Sequence, residues 1–162
     1  MGIYDYAMEV EKEGEALYRE FAKKAPDEGL KNIFTWLADQ EKRHFGIFQN
    51  MKDGKPVPQE KNPSYDQIKT VFSDWKDHKD QFSYKISQSD LYMKALEIEK
   101  KSIDFYIEES KKNDSATQKG IFLKIAKEEE NHYEILENII DFISAPTRWA
   151  ENAEFSHIGE EY

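Results

Sequence analysis

Two short motifs carry residue types that could do chemistry: Glu41-Lys42-Arg43-His44 and Glu129-Glu130-Asn131-His132. On an α-helix, residues three apart lie on one face. Each motif would therefore aim one carboxylate and one imidazole in the same direction. Thirty residues before each motif glutamate stands another, Glu11 or Glu99. Each interrupts an apolar stripe: Ala7 and Val10 before Leu17 and Tyr18 in one case, Ala95 and Ile98 before Phe105 and Tyr106 in the other. Burying four carboxylates without compensation would be prohibitive. Two divalent cations would set four positive charges against the four negative ones and leave the site neutral. Glu11, Glu41, His44, Glu99, Glu129 and His132 are therefore expected to hold two metal ions close together, with some carboxylates bridging. Hard oxygen donors with imidazole suit iron or manganese, and zinc fits the same set.

One Glu-x-x-His in a Glu-rich chain says little. Here two copies stand in register within an internal repeat. Sliding the sequence by 88 residues aligns 3–51 with 91–139, with 17 identities in 49 positions and no gap. A repeat of this kind fixes the architecture. Each copy holds two amphipathic segments. The first runs from residue 3 to about residue 24 and is broken at Ala25-Pro26, with Asp27 placed to cap the next helix. That second helix carries Leu30, Ile33, Phe34, Leu37, Phe45 and Phe48 and fades near Met51. The second repeat opens after Ser87-Gln88-Ser89-Asp90, which is like a capping box. Its first helix carries Leu91, Ala95, Ile98, Phe105 and Tyr106. The polar turn Asn113-Asp114-Ser115 leads into a last helix that Pro146 is expected to stop.

Between the repeats, residues 52–86 begin with Gly54, Pro56, Pro58 and Pro63, a loop signature. From Ser64 onward, Ile68, Val71, Phe72, Trp75 and Phe82 return to helical spacing. The expected fold is all-α: a ferritin-like four-helix bundle of two helical hairpins, joined by a long crossover that contains an extra helix. The bundle would occupy residues 1–145 and an acidic tail residues 146–162. The tail's Trp149, Phe155, His157 and Tyr162 would dock on the bundle or on a neighbouring subunit.

Composition narrows the functional classes. A net charge of -10 argues against nucleic-acid partners and anionic membranes. No apolar run approaches the roughly 20 residues needed to span a bilayer, and the N-terminus lacks a signal-peptide pattern. The chain reads as soluble and cytoplasmic. With no cysteine, thiolate zinc sites, cysteine-held iron–sulfur clusters and a cysteine nucleophile are excluded. Hydrophobic residues make up 38% and charged residues 35%, as expected of helices with one buried stripe and one solvated face.

The segments AMEVEKEGEALY with LADQEKRHFGIF, and ALEIEKKSIDFY with IAKEEENHYEIL, resemble the rubrerythrin and ferritin-like di-iron family. The resemblance covers both hairpins, and all six expected ligand positions match. It implies a pair of iron ions cycling between Fe2+ and Fe3+. It also implies that Tyr18 and Tyr106, two turns after Glu11 and Glu99, hydrogen-bond near the site. Two departures stand out. Rubrerythrins carry a rubredoxin-like domain with four cysteines, absent here, so electrons would come from another protein. They also tend to carry an extra glutamate one turn after the third-helix ligand, used in a redox-linked shift of one iron; that position here is Ser102, and its repeat mate is Gly14.

The function this implies is reduction of hydrogen peroxide or dioxygen with electrons from an external donor protein, by a homodimer. Iron storage and a merely metal-binding bundle are the competing classes. The short tail leaves little room for the fifth helix of ferritins, which ranks storage second. The remaining polar residues read as bland. Glu9, Glu97, Glu128 and Glu130 read as solvated charges and His78 as exposed. His157 reads as a packing residue in the tail, and Trp36 and Trp75 as packing residues.

Overall fold

The computed structural model describes residues 2–57 and 89–153, together with Ile68 and Ser73, and side chains as far as residue 142. Four helices account for nearly all of this, with no strand among the described residues: α1 (Ile3–Lys24), α2 (Glu28–Lys52), α3 (Ser89–Lys112) and α4 (Ala116–Ala153).

The helix ends follow local chemistry. Ala25 is extended, with φ -64° and ψ 132°, because the ring of Pro26 disfavours a helical residue before it. Two residues later, the Asp27 carboxylate accepts from the Leu30 backbone N–H at 2.8 Å and starts α2. At the far end, Gly54 takes φ +69°. Its N–H donates to Met51 O, and the Lys55 N–H to Asn50 O, the paired closure that a left-handed residue after a helix makes possible. Ser115 caps α4 by accepting from Gln118 N–H at 3.3 Å.

One expectation fails here. Pro146 does not stop the last helix, which runs on to Ala153. A proline removes a single backbone donor and tends to kink a helix, while the ladder on either side remains available. The boundary expected at 145/146 therefore falls inside α4. The crossover helix expected from Ser64, with Trp75 and His78, lies outside the described residues, as do Phe155, His157, Tyr162 and the side chain of Trp149. Ile68 and Ser73 alone show their environment there: both are helical, Ile68 buried in the core and Ser73 exposed.

The short turn at 25–27 makes α1 and α2 an antiparallel hairpin, and the turn at 113–115 does the same for α3 and α4. The hairpins join into a ferritin-like four-helix bundle. Its core is layered along the axis. One apolar layer holds Phe21, Leu30, Phe34, Leu37, Tyr92, Ala95, Leu136 and Ile139. The other holds Ala7, Phe48, Met51, Tyr106, Phe122 and Ile125. Each helix crosses both layers and contributes one polar interruption between them: Glu11, Glu41 with His44, Glu99, and Glu129 with His132. The apolar layers supply the burial free energy that holds these groups away from water.

Candidate metal centre

All six sequence-selected residues converge on the plane between the layers, each no more than 3% exposed. Their donor atoms form two overlapping groups. Glu11, Glu41, His44 and Glu129 each offer one atom within 4.8 Å of the others, and so do Glu41, Glu99, Glu129 and His132. Glu41 and Glu129 belong to both groups. Glu11 with His44 stands on one side, Glu99 with His132 on the other.

The contacts repeat with the sequence. His44 Nδ1 lies 3.0 Å from Glu129 Oε1 and 3.4 Å from Glu11 Oε2. Under the repeat, His132 Nδ1 lies 3.0 Å from Glu41 Oε1 and 3.7 Å from Glu99 Oε1, and it also lies 3.2 Å from Glu129 Oε2 on its own helix. The two imidazoles stack 5.8 Å apart at 16°, and both present Nδ1 to the carboxylates. Tyr18 donates to Glu99 and Tyr106 to Glu11. The two tyrosines picked out by resemblance thus touch the site directly.

Burial of this much charge divides the carboxyls. Burial pushes Glu41 and Glu129 well above the usual carboxylate range, and the charges of Glu11 and Glu99 push further. Burial acts the same way on Glu11 and Glu99 but is overcome, and both end below their usual value. For Glu11 the opposing causes are His44 and hydrogen bonds from Glu41, His44 and Glu129; for Glu99 they are hydrogen bonds from Glu129, His132 and Tyr18 together with the charge of His132. Burial also holds His44 below its ordinary pKa. Without a cation, the shared pair keeps protons and the outer pair stays charged.

A cation pair fits these residues. Oε2 of Glu11 and Oε2 of Glu99 are buried with no hydrogen-bond partner, a costly state that a metal would relieve. Each four-donor group supplies carboxylate oxygens and one imidazole nitrogen, the set suited to iron, manganese or zinc. Gly14 packs against this set: a Cβ there would stand 3.2 Å from Glu41 Oε2. Its repeat mate Ser102 donates to Ile98 O at 2.9 Å, so its hydroxyl is engaged with the backbone.

Sequence reasoning misplaced one neighbour and overlooked another. Glu128 is not a surface charge: it is 6% exposed, paired with Arg43 of α2, and its Oε2 lies 3.7 Å from His44 Nε2. Gln40, its repeat mate, is also 6% exposed and accepts from Arg43 at 3.2 Å. The signal was present. Glu128 lies three residues after Ile125 and four before His132, and Gln40 three after Leu37 and four before His44, both on the buried stripe. Glu9, Glu97 and Glu130 are exposed, as read. Trp36 packs edge-to-face with His132, their ring centroids 5.6 Å apart.

A family model described as Rubrerythrin matches residues 3–140, which takes in all six residues of the centre. No curated protein and no solved structure matches the chain. Among the described residues, no helix is long and apolar enough to cross a membrane.

Proposed function

The chain belongs to the rubrerythrin family, and on that premise we propose that it is a di-iron carboxylate oxidoreductase reducing hydrogen peroxide or dioxygen. The observation that carries the reading is the pair of four-donor groups sharing Glu41 and Glu129. Glu11 and His44 would hold one iron, Glu99 and His132 the other, and Glu41 and Glu129 would span both. When bound, the pair supplies two adjacent redox centres, able to deliver two electrons to an O–O bond. Manganese or zinc would occupy the same donors.

The chain's own residues do the rest. Tyr18 and Tyr106 fix the Glu99 and Glu11 carboxylates through one oxygen each and leave the other free for metal. The two apolar layers keep bulk water from the ligands. The proposed source of electrons is an external donor protein. The proposed setting is a cytoplasmic homodimer.

The test is anaerobic loading with Fe2+ followed by one equivalent of peroxide, watched by absorbance and by metal analysis. Two irons per chain, oxidised promptly by peroxide, support the reading; His44→Ala with His132→Ala should remove most of the bound iron. Iron that binds but stays ferrous under peroxide would sink the oxidoreductase assignment. Two tightly held ions in the double variant would sink the ligand assignment.

A further inference from the structure

Two buried atoms without hydrogen-bond partners face one another behind the site. His44 Nε2 and Glu128 Oε2 both lack a partner, and they lie 3.7 Å apart. That is ion-pair range, too long for a hydrogen bond. His44 Nδ1 points the other way, toward Glu11 and Glu129. A metal ion on Nδ1 leaves the ring's remaining proton on Nε2, which then becomes a fixed donor. Glu128 Oε2, 3.7 Å away, is an acceptor that faces it.

We infer that Glu128 is a positioning residue for one of the two metal ions, holding His44 through Nε2–H while Arg43 holds Glu128. A carboxylate behind an imidazole fixes its tautomer and orientation and makes it a better ligand. Arg43 reaches Glu128 and Gln40 together, so a single guanidinium offsets the charge of the buried carboxylate and sets its place. Glu128 and Arg43 also line a cleft of about 780 Å³ between the end of α2 and the start of α4. Glu128 therefore touches the cleft on one side and faces His44 on the other.

The arrangement breaks the repeat. At the positions equivalent to Glu128 and Arg43, the other half of the pseudosymmetric centre has Gln40 and Asn131, both neutral. The charged support is thus built for the Glu11–His44 ion and has no counterpart at the equivalent position for the Glu99–His132 ion. Two sites drawn from one repeat become unequal, with the His44 ion held more tightly.

The inference rests on the six residues being the metal ligands, and the experiment separates the two ideas. Zn2+ alone, which is redox-silent, is titrated into wild type, Glu128→Gln and Glu128→Ala against a competing chelator. The His44 Nε2–H resonance is followed by 15N NMR in each loaded protein. Wild type should bind two ions of unequal affinity and show a slowly exchanging His44 Nε2–H. In Glu128→Ala the tighter step should weaken by about 10–100-fold, the range typical of lost outer carboxylates, with the weaker step unchanged and the proton exchanging freely. Glu128→Gln keeps an acceptor but not the charge, so it should keep the slow proton, shifted, and lose affinity at the same step. If either folded variant bound both ions as wild type does, with the His44 signal unmoved, the inference would fall and the ligand set would stand. A wild type that binds no zinc would overturn both.

Discussion

Tyr18 on α1 donates a 2.5 Å hydrogen bond to Oε1 of Glu99 on α3, and Tyr106 on α3 donates one of 2.6 Å to Oε1 of Glu11 on α1. The two bonds exchange under the 88-residue repeat, as do the His44–Glu129 and His132–Glu41 contacts. The chain therefore carries an internal pseudo-twofold axis through the polar layer. Each tyrosine is buried, and burial together with the adjacent carboxylates pushes its hydroxyl well above the ordinary phenol range. Both therefore remain protonated donors near neutral pH.

Removing either hydroxyl should have nearly the same effect. A buried hydrogen bond to a charged acceptor contributes about 1.5–3 kcal/mol. Tyr18→Phe and Tyr106→Phe are each expected to lower the stability of the metal-free protein by an amount in that range, measured by urea unfolding. A large cost for one and none for the other would show that the pseudo-twofold relation does not extend to the energetics.

Gly14 leaves space where its repeat mate Ser102 has a side chain. A Cβ at residue 14 would stand 3.2 Å from Glu41 Oε2 and 3.3 Å from its Cδ, so the carboxylate must move by a few tenths of an ångström. In the metal-free protein no cation fixes that carboxylate, and alanine gains about 1 kcal/mol of helix propensity over glycine. Gly14→Ala should therefore leave the metal-free melting temperature unchanged or higher, while weakening metal binding through Glu41. Unaltered zinc affinity in this variant would mean that Glu41 is not constrained from the Gly14 side.

Much of this was legible in the sequence because the repeat doubles every signal. The α1 and α2 boundaries followed from Pro26 and Asp27, residues whose local chemistry decides them. The six polar interruptions stood out because each broke an apolar stripe. Glu128 was hidden because it adjoins a ligand in a run of three glutamates, where one more acid looks like solvent-facing charge. Its burial depends on Arg43, 85 residues away on α2, a pairing no local pattern carries. Pro146 misled for the opposite reason: a strong local rule gave way to a helix that continues on both sides.

The shared carboxylates should show opposite effects with and without metal. Burial keeps Glu41 and Glu129 protonated in the metal-free fold, so glutamine is close to the species already present. Glu129→Gln should leave the metal-free protein at least as stable as wild type near neutral pH. It should also lose metal, because a neutral amide cannot span two cations. Destabilisation of the metal-free form, seen by thermal melting, would show Glu129 to be ionised there.

Acid should move the two forms in opposite directions. In the metal-free protein Glu41 and Glu129 bind their protons more tightly folded than unfolded. The stability they give is present at low pH and is lost as pH rises from the unfolded value, about 4.3, toward their raised folded values. His44 opposes them: its folded pKa is depressed, so its contribution falls as pH drops below about 6.5, where the unfolded imidazole takes a proton. Between about pH 7 and pH 5, two carboxyls thus act against one imidazole, and metal-free stability should rise on acidification, more steeply above about 6.5 than below it. Glu11 and Glu99 are depressed; their stability is present above about 4.3 and is lost only below it, so the rise should end there. The metal-loaded protein should instead lose stability over the same range, because protons compete with cations for all six donors. Thermal melts of chelator-treated and metal-loaded protein across this window decide the matter. Parallel curves would mean that the four carboxylates are not gathered around a metal, and would sink the central reading of this site.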